Sequence, residues 1–156
     1  MKPEIHNILI AVDEKDNWEY PKKFRWDKRM KLIQELKKDF ESVFKFELDI
    51  DKNVQDASFT TDLGILDDKF YDRKTGTGSL RYLFSFRFSN FGNLFTILNL
   101  PDKKGEYYKE TVTCMKILND KGFVFIDSSE LDDIYDGVNE PYENGLTWWT
   151  RYFDYL

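Results

Sequence analysis

The chain has 156 residues, a length suited to one domain, and 17% of them are aromatic: 14 Phe, 9 Tyr and 4 Trp. A single cysteine, Cys114, excludes an internal disulfide, and with His6 as the sole histidine the sequence lacks the Cys and His ligands that zinc requires. The net charge is −6, and Lys121 to Leu156 holds eight acids against two bases, so the whole excess lies in the final quarter, opposite in sign to a nucleic-acid binder and open to a basic partner.

In chain order, Ile5 to Val12 reads as a short strand. Its apolar part, Ile8 to Val12, is too short to span a membrane, and the stretch before it lacks the basic start of a signal peptide, so a cytosolic protein is expected. Asp13 to Arg25 reads as a loop that Trp18, Tyr20, Phe24 and Trp26 pin to the body. Asp27 is a candidate N-cap for an amphipathic helix carrying Met30, Ile33, Leu36, Phe40 and Val43. Alternation at Phe44, Phe46, Leu48 and Ile50 predicts a strand directly after it, and Ala57, Phe59, Thr61, Leu63 and Ile65 predict another.

Asp67 to Ser79 is polar and reads as a loop or long hairpin connection. Tyr82, Phe84, Phe86 and Phe88 then place four rings on one face of a strand, followed by Asn90-Phe91-Gly92-Asn93 and a second apolar run, a hairpin pattern. Tyr108, Val112, Met115 and Leu118 mark a helix that stops near Asn119 to Gly122. Phe123 to Ile126 reads as a short buried strand, Ser128 or Ser129 as the cap of one helical turn through Tyr135, and Gly137 to Gly145 as loop. Thr147 reads as the cap of a final helix with Trp148, Trp149, Tyr152, Phe153 and Leu156. Consecutive strands before the second helix predict one α+β domain over residues 1–156, an antiparallel sheet of about five to six strands packed by two to three helices.

The candidate chemistry is sparse. Nucleophilic catalysis of the Cys-His kind requires Cys114 within reach of His6, and Cys114 reads more simply as a small buried hydrophobe. Asp49, Asp51 and Asn53 open with the rhythm of a calcium loop, but Val54 stands where glycine is needed and Thr60 where a bidentate glutamate is needed. Gly76-Thr77-Gly78 precedes a strand and does not open a helix, so it lacks phosphate-loop geometry. Glu130, Asp132, Asp133 and Asp136 crowd into seven residues, a pattern of solvated surface more than of carboxylates facing across a cleft. No catalytic residue, metal ligand or cofactor is assigned.

Three pieces resemble small bacterial immunity proteins encoded beside secreted polymorphic toxins: Arg87 to Leu94, Phe125 to Gly137, and Trp148 to Leu156. The resemblance implies a non-enzymatic, cytoplasmic protein that binds and blocks one cognate toxin. An inhibitor needs charge complementarity and a few large side chains. The expected contact residues are Glu130, Asp132, Asp133, Tyr135, Asp136, Glu140, Trp149 and Tyr155. Were the toxin a nuclease, the carboxylates would stand in for phosphates. Neither a nucleic acid nor a membrane is expected as partner. The alternative reading is a small-ligand or peptide-binding module with a pocket lined from the Tyr82–Phe88 face. A hydrolase with converging carboxylates is a third.

Overall fold

A computed structural model gives the fold and describes residues 1–51, 60–72, 74–79 and 81–154. The expected α+β domain is present: four helices, a five-stranded sheet and a two-stranded ladder. The stretch predicted as an N-terminal strand is instead helix α1, Pro3–Val12. Pro3 sits in its first turn with φ already suited to a helix, and Glu4 there complements the dipole. Its apolar residues serve a helical face, on which Leu9 is fully buried and Ile5, Ile8 and Val12 pack beside it. An apolar run of five cannot by its period separate a strand from a buried helix.

Helix α2, Trp26–Phe44, buries Ile33, Leu36, Phe40 and Phe44 at three- and four-residue steps, the predicted stripe. Arg25 occupies the N-cap position, and Asp27 lies one residue inside the helix, where its carboxylate accepts from Arg25 Nε at 3.0 Å and Nη2 at 2.9 Å. Lys45 in the left-handed region, φ 65°, ends α2, so the expected strand from Phe44 shrinks to β1, Asp49–Ile50. Strand β2, Thr60–Leu66, follows; Ala57 and Phe59 of the predicted strand lie outside the described residues. Part of the 67–79 connection folds on itself as β3, Tyr71–Asp72, against β4, Thr77–Gly78.

The predicted hairpin is β5, Tyr82–Ser89, and β6, Leu94–Leu98. Register pairs such as Leu63 with Phe86 and Phe88 with Phe95 put apolar side chains side by side on one sheet face. At Gly64 the neighbouring strand comes so close that a Cβ would lie 2.2 Å from the Phe84 carbonyl oxygen. The sheet order is β1-β2-β5-β6-β7, antiparallel except at its edge. There β7, Val124–Phe125, joins β6 in parallel, because helix α3, Tyr108–Asp120, carries the chain across between them.

Two apolar clusters result. In the first, Phe84, Phe86 and Phe88 meet Phe40, Phe44, Cys114, Leu118 and Phe123, with Phe40 and Phe86 centroids 4.8 Å apart. Phe84, Phe86 and Phe88 are thus packed against α2 and α3. The second joins α1 to the C-terminal segment through Leu9, Phe91, Leu131, Tyr135, Trp148 and Tyr152. That segment holds a 3-10 turn, Ser128–Glu130, and helix α4, Trp148–Phe153. Thr147 caps α4 as predicted, accepting from the Thr150 amide at 3.3 Å. The 3-10 turn is capped by Asp127 in place of Ser128 or Ser129, and it ends before Tyr135.

One buried ion pair knits the second cluster. Arg151 Nε and Nη2 reach Asp13 Oδ1 at 2.9 and 2.7 Å, with neither side chain exposed. The same guanidinium donates to the carbonyls of Trp18 at 3.0 Å and Asn17 at 2.9 Å. Asp13 Oδ2 accepts from the Tyr135 hydroxyl and from the Val138 amide at 2.9 Å. A Cβ at Gly137 would sit 2.2 Å from that oxygen, so only glycine fits. Replacing Arg151 with Leu strands a buried carboxylate and is expected to cost about 3–5 kcal/mol. Urea unfolding should show a lower midpoint with an unchanged slope.

Candidate partner-binding surface

The acidic segment is held in place from two sides. From within, the first amides of α4 donate into it: Trp148 N to Asp133 O at 3.1 Å and Trp149 N to Leu131 O at 2.9 Å. These are amides that a helix start leaves unpaired. An isolated bridge between Ile134 and Thr147, with Tyr135 N donating to Leu146 O at 2.8 Å, extends the contact. From outside, the first residues of the chain and α1 supply its partners. Lys2 pairs with Glu130 through its ammonium and donates its amide to Glu130 Oε2 at 2.8 Å. The Met1 ammonium lies 2.7 Å from Asp133 Oδ2, and His6 Nε2 lies 2.8 Å from Asp136 Oδ1. Trp148 Nε1 donates to the same Asp136 oxygen at 3.2 Å.

The expected contact residues therefore separate. Glu130, Asp133 and Asp136 recur every third residue and answer α1. Asp132 and Glu140 are exposed and have no ion pair among the described residues. Tyr135 is buried at 3% exposure, its hydroxyl committed to Asp13 and to the Asn139 amide at 3.0 Å, so it is a core residue and not a surface contact. Tyr155 lies outside the described residues. Trp149 is half-buried, its ring 5.8 Å from that of Phe153.

Asp132 and Trp149 share an open depression of about 600 Å³, completed by Ile97, Leu98, Asn99, Ser128 and Ser129. It lies where the end of β6 meets the 3-10 turn and α4. The sequence reading missed the β6 contribution, because Ile97 and Leu98 look like ordinary strand residues. It also missed Ile134, which at 63% exposure is an apolar side chain left among the acids.

The remaining candidates do not assemble. Cys114 is buried, and desolvation pushes its thiol up to about 12, far from a reactive thiolate. His6 faces Asp136 and the edge of Trp148, ring centroids 5.7 Å apart, and the apolar cluster that holds Cys114 does not include it. Of the calcium-like run, Asn53 and Val54 lie outside the described residues, and Asp49 accepts from the Leu66 amide at 3.1 Å. Among the described residues no group of three or more His, Cys, Asp or Glu converges as a metal site, and no helix is long and apolar enough to cross a membrane. No protein-family model matches the chain, and no curated protein or solved structure is significantly similar to it.

Two measurements test this description. Native Cys114 is expected to resist a thiol reagent at pH 8 and to react fully once unfolded in urea, read by absorbance. The hydrogen bonds from Lys2 and His6 hold the Glu130 and Asp136 carboxyls below their ordinary values. A depressed folded-state pKa contributes stability that is present above about pH 4 and disappears as pH falls through the folded value. Glu130→Gln with Asp136→Asn should therefore flatten the loss of stability between about pH 4 and pH 2 in urea titrations.

Proposed function

We propose that this chain is a non-enzymatic bacterial immunity protein that binds and neutralises a cognate protein toxin in the cytoplasm of the cell that makes it. One observation carries the reading: Asp132 and Trp149, distant in sequence, line a single open depression on a rigid support. An indole beside an unpaired carboxylate is the combination that binding hot spots favour, an aromatic anchor with a directional charge. The resemblance of Phe125 to Gly137 and of Trp148 to Leu156 to immunity proteins falls on the segments that build this depression.

The contact set narrows to Asp132 and Trp149, with Ile134 and Glu140 as exposed neighbours in sequence. Glu130, Asp133 and Asp136 act one step back, by fixing the segment to α1. A basic toxin surface suits Asp132, and a nuclease active site is one such surface.

The test is growth rescue. Co-expression with the toxin gene adjoining this one should restore growth of a sensitive bacterium. Trp149→Ala should weaken the purified complex by about 2 kcal/mol, roughly thirty-fold, and Asp132→Lys should abolish rescue. Rescue that survives both substitutions in folded protein would overturn this assignment of the surface, and failure of the wild-type chain to rescue would overturn the function.

A further inference from the structure

The strongest concentration of opposite charge lies elsewhere. Between Tyr20 and Lys31 the chain carries six cationic side chains, Lys22, Lys23, Arg25, Lys28, Arg29 and Lys31, against one acid, Asp27. Three aromatic rings are threaded among them. Tyr20 stacks on Phe24 with centroids 5.8 Å apart and planes at 26°, and Phe24 meets Trp26 at 6.1 Å. The outer members of this ladder are the exposed ones, Tyr20 at 45% and Trp26 at 40%. Lys22, Lys23, Lys28 and Lys31 are exposed and have no ion pair among the described residues. Asp27 is bound up with Arg25, and Glu19 is the exposed acid next to Tyr20.

The ladder is built on a fixed base. Arg29 donates to the Gly92 carbonyl at 2.8 Å, and its guanidinium lies 5.9 Å from the Phe24 ring and 6.0 Å from that of Phe123. Asn90 Nδ2 donates to the Glu19 carbonyl at 3.2 Å, the Lys22 amide to Glu14 Oε2 at 2.9 Å, and the Phe24 amide to Pro21 O at 2.8 Å. These anchors hold two large exposed rings, Tyr20 and Trp26, at fixed positions beside the lysines.

We propose that Tyr20 to Lys31 forms a binding site for single-stranded nucleic acid. The two exposed rings, Tyr20 and Trp26, stand on either side of the exposed Lys22 and Lys23, so that bases and phosphates of a single strand each meet a matching group. Exposed ring faces stack on unpaired bases without regard to sequence, and lysines neutralise the backbone between them. A duplex hides its base faces, and an acidic polypeptide engages the cations but gives the rings nothing to stack on. The site is separate from the acidic depression and independent of the toxin-binding proposal.

The test uses the intact purified chain and a fluorescein-labelled fifteen-nucleotide oligothymidine, read by anisotropy in 50 mM KCl. Saturable binding with a Kd of about 1–100 µM is expected, with quenching of tryptophan fluorescence. Tyr20→Ala and Trp26→Ala should each weaken it roughly five-fold or more while far-UV circular dichroism stays unchanged. Lys22→Glu with Lys23→Glu should reduce the slope of log affinity against log salt by about 1–2. Absence of binding, or binding indifferent to loss of either ring, would overturn the proposal. So would equal affinity for a blunt duplex of the same length. If polyglutamate displaces the probe as well as unlabelled oligothymidine does, the patch belongs instead to an acidic protein.

Discussion

Two opposite charges, Asp13 and Arg151, lie together where neither touches water. Removing each from solvent costs several kcal/mol, and attraction alone does not reliably offset that. What offsets it here is dense hydrogen bonding, with four bonds from the guanidinium. Arg151 spends its donors on Asp13, Asn17 and Trp18, and Asp13 spends its second oxygen on Tyr135 and Val138. The pair thereby fixes four stretches relative to one another: the end of α1, the loop after it, the 137–139 turn and α4. The loop and the turn lack regular secondary structure of their own, so shared polar contacts with a buried centre define their path.

Helix α4 is short, six residues, and on its own would not persist in water. It is held at both ends. At its start Thr147 caps it, and the carbonyls of Leu131 and Asp133 take its first amides. At its far end Arg87, from the middle of β5, donates to the Phe153 carbonyl at 2.9 Å while bonding Asp62 at 2.8 and 3.0 Å. A guanidinium on a helix C-terminus is favourable for the dipole, and this one also ties α4 to the sheet. With both ends set, the rotation of α4 follows: Trp148, Tyr152 and Phe153 turn inward, and Trp149 is left at the margin of the depression.

The sequence was most legible where one period persisted. Helix α2 and the β5–β6 hairpin lie close to where the apolar spacing puts them, and Thr147 caps α4 as its residue type suggests; α3 spans the expected residues but buries Thr111, Cys114 and Leu118 and leaves Val112 exposed. It misled where the apolar run was short, at Ile8 to Val12, and where alternation continued across a helix end, at Phe44. The parallel pairing of β7 follows from the α3 crossover, which no local pattern announces. The acidic cluster shows a different limit. Composition counts carboxylates, yet the groups that engage Glu130, Asp133 and Asp136 come from the opposite end of the chain. Tyr135 looked like an exposed ring among acids, and only the position of Asp13 makes it a core residue.

Net charge of −6 describes neither of the surfaces on which the two proposals rest. At physiological ionic strength a charge is felt over about 8 Å, so each patch presents its own sign to whatever approaches it. Met1, Lys2 and His6 engage three of the acids near the depression, and the exposed Asp132 that remains suits directional contact with one partner more than long-range attraction. The lysines between Tyr20 and Lys31 are exposed beside the exposed rings and, among the described residues, have no ion pair. The same averaging that places the whole acidic excess in the last quarter conceals this basic stretch, because acids elsewhere in the first 120 residues cancel it in the sum. Tyr20 and Trp26 were expected to pin a loop. Trp18 and Phe24 do that, half-buried, and so leave their two neighbours free to meet a ligand.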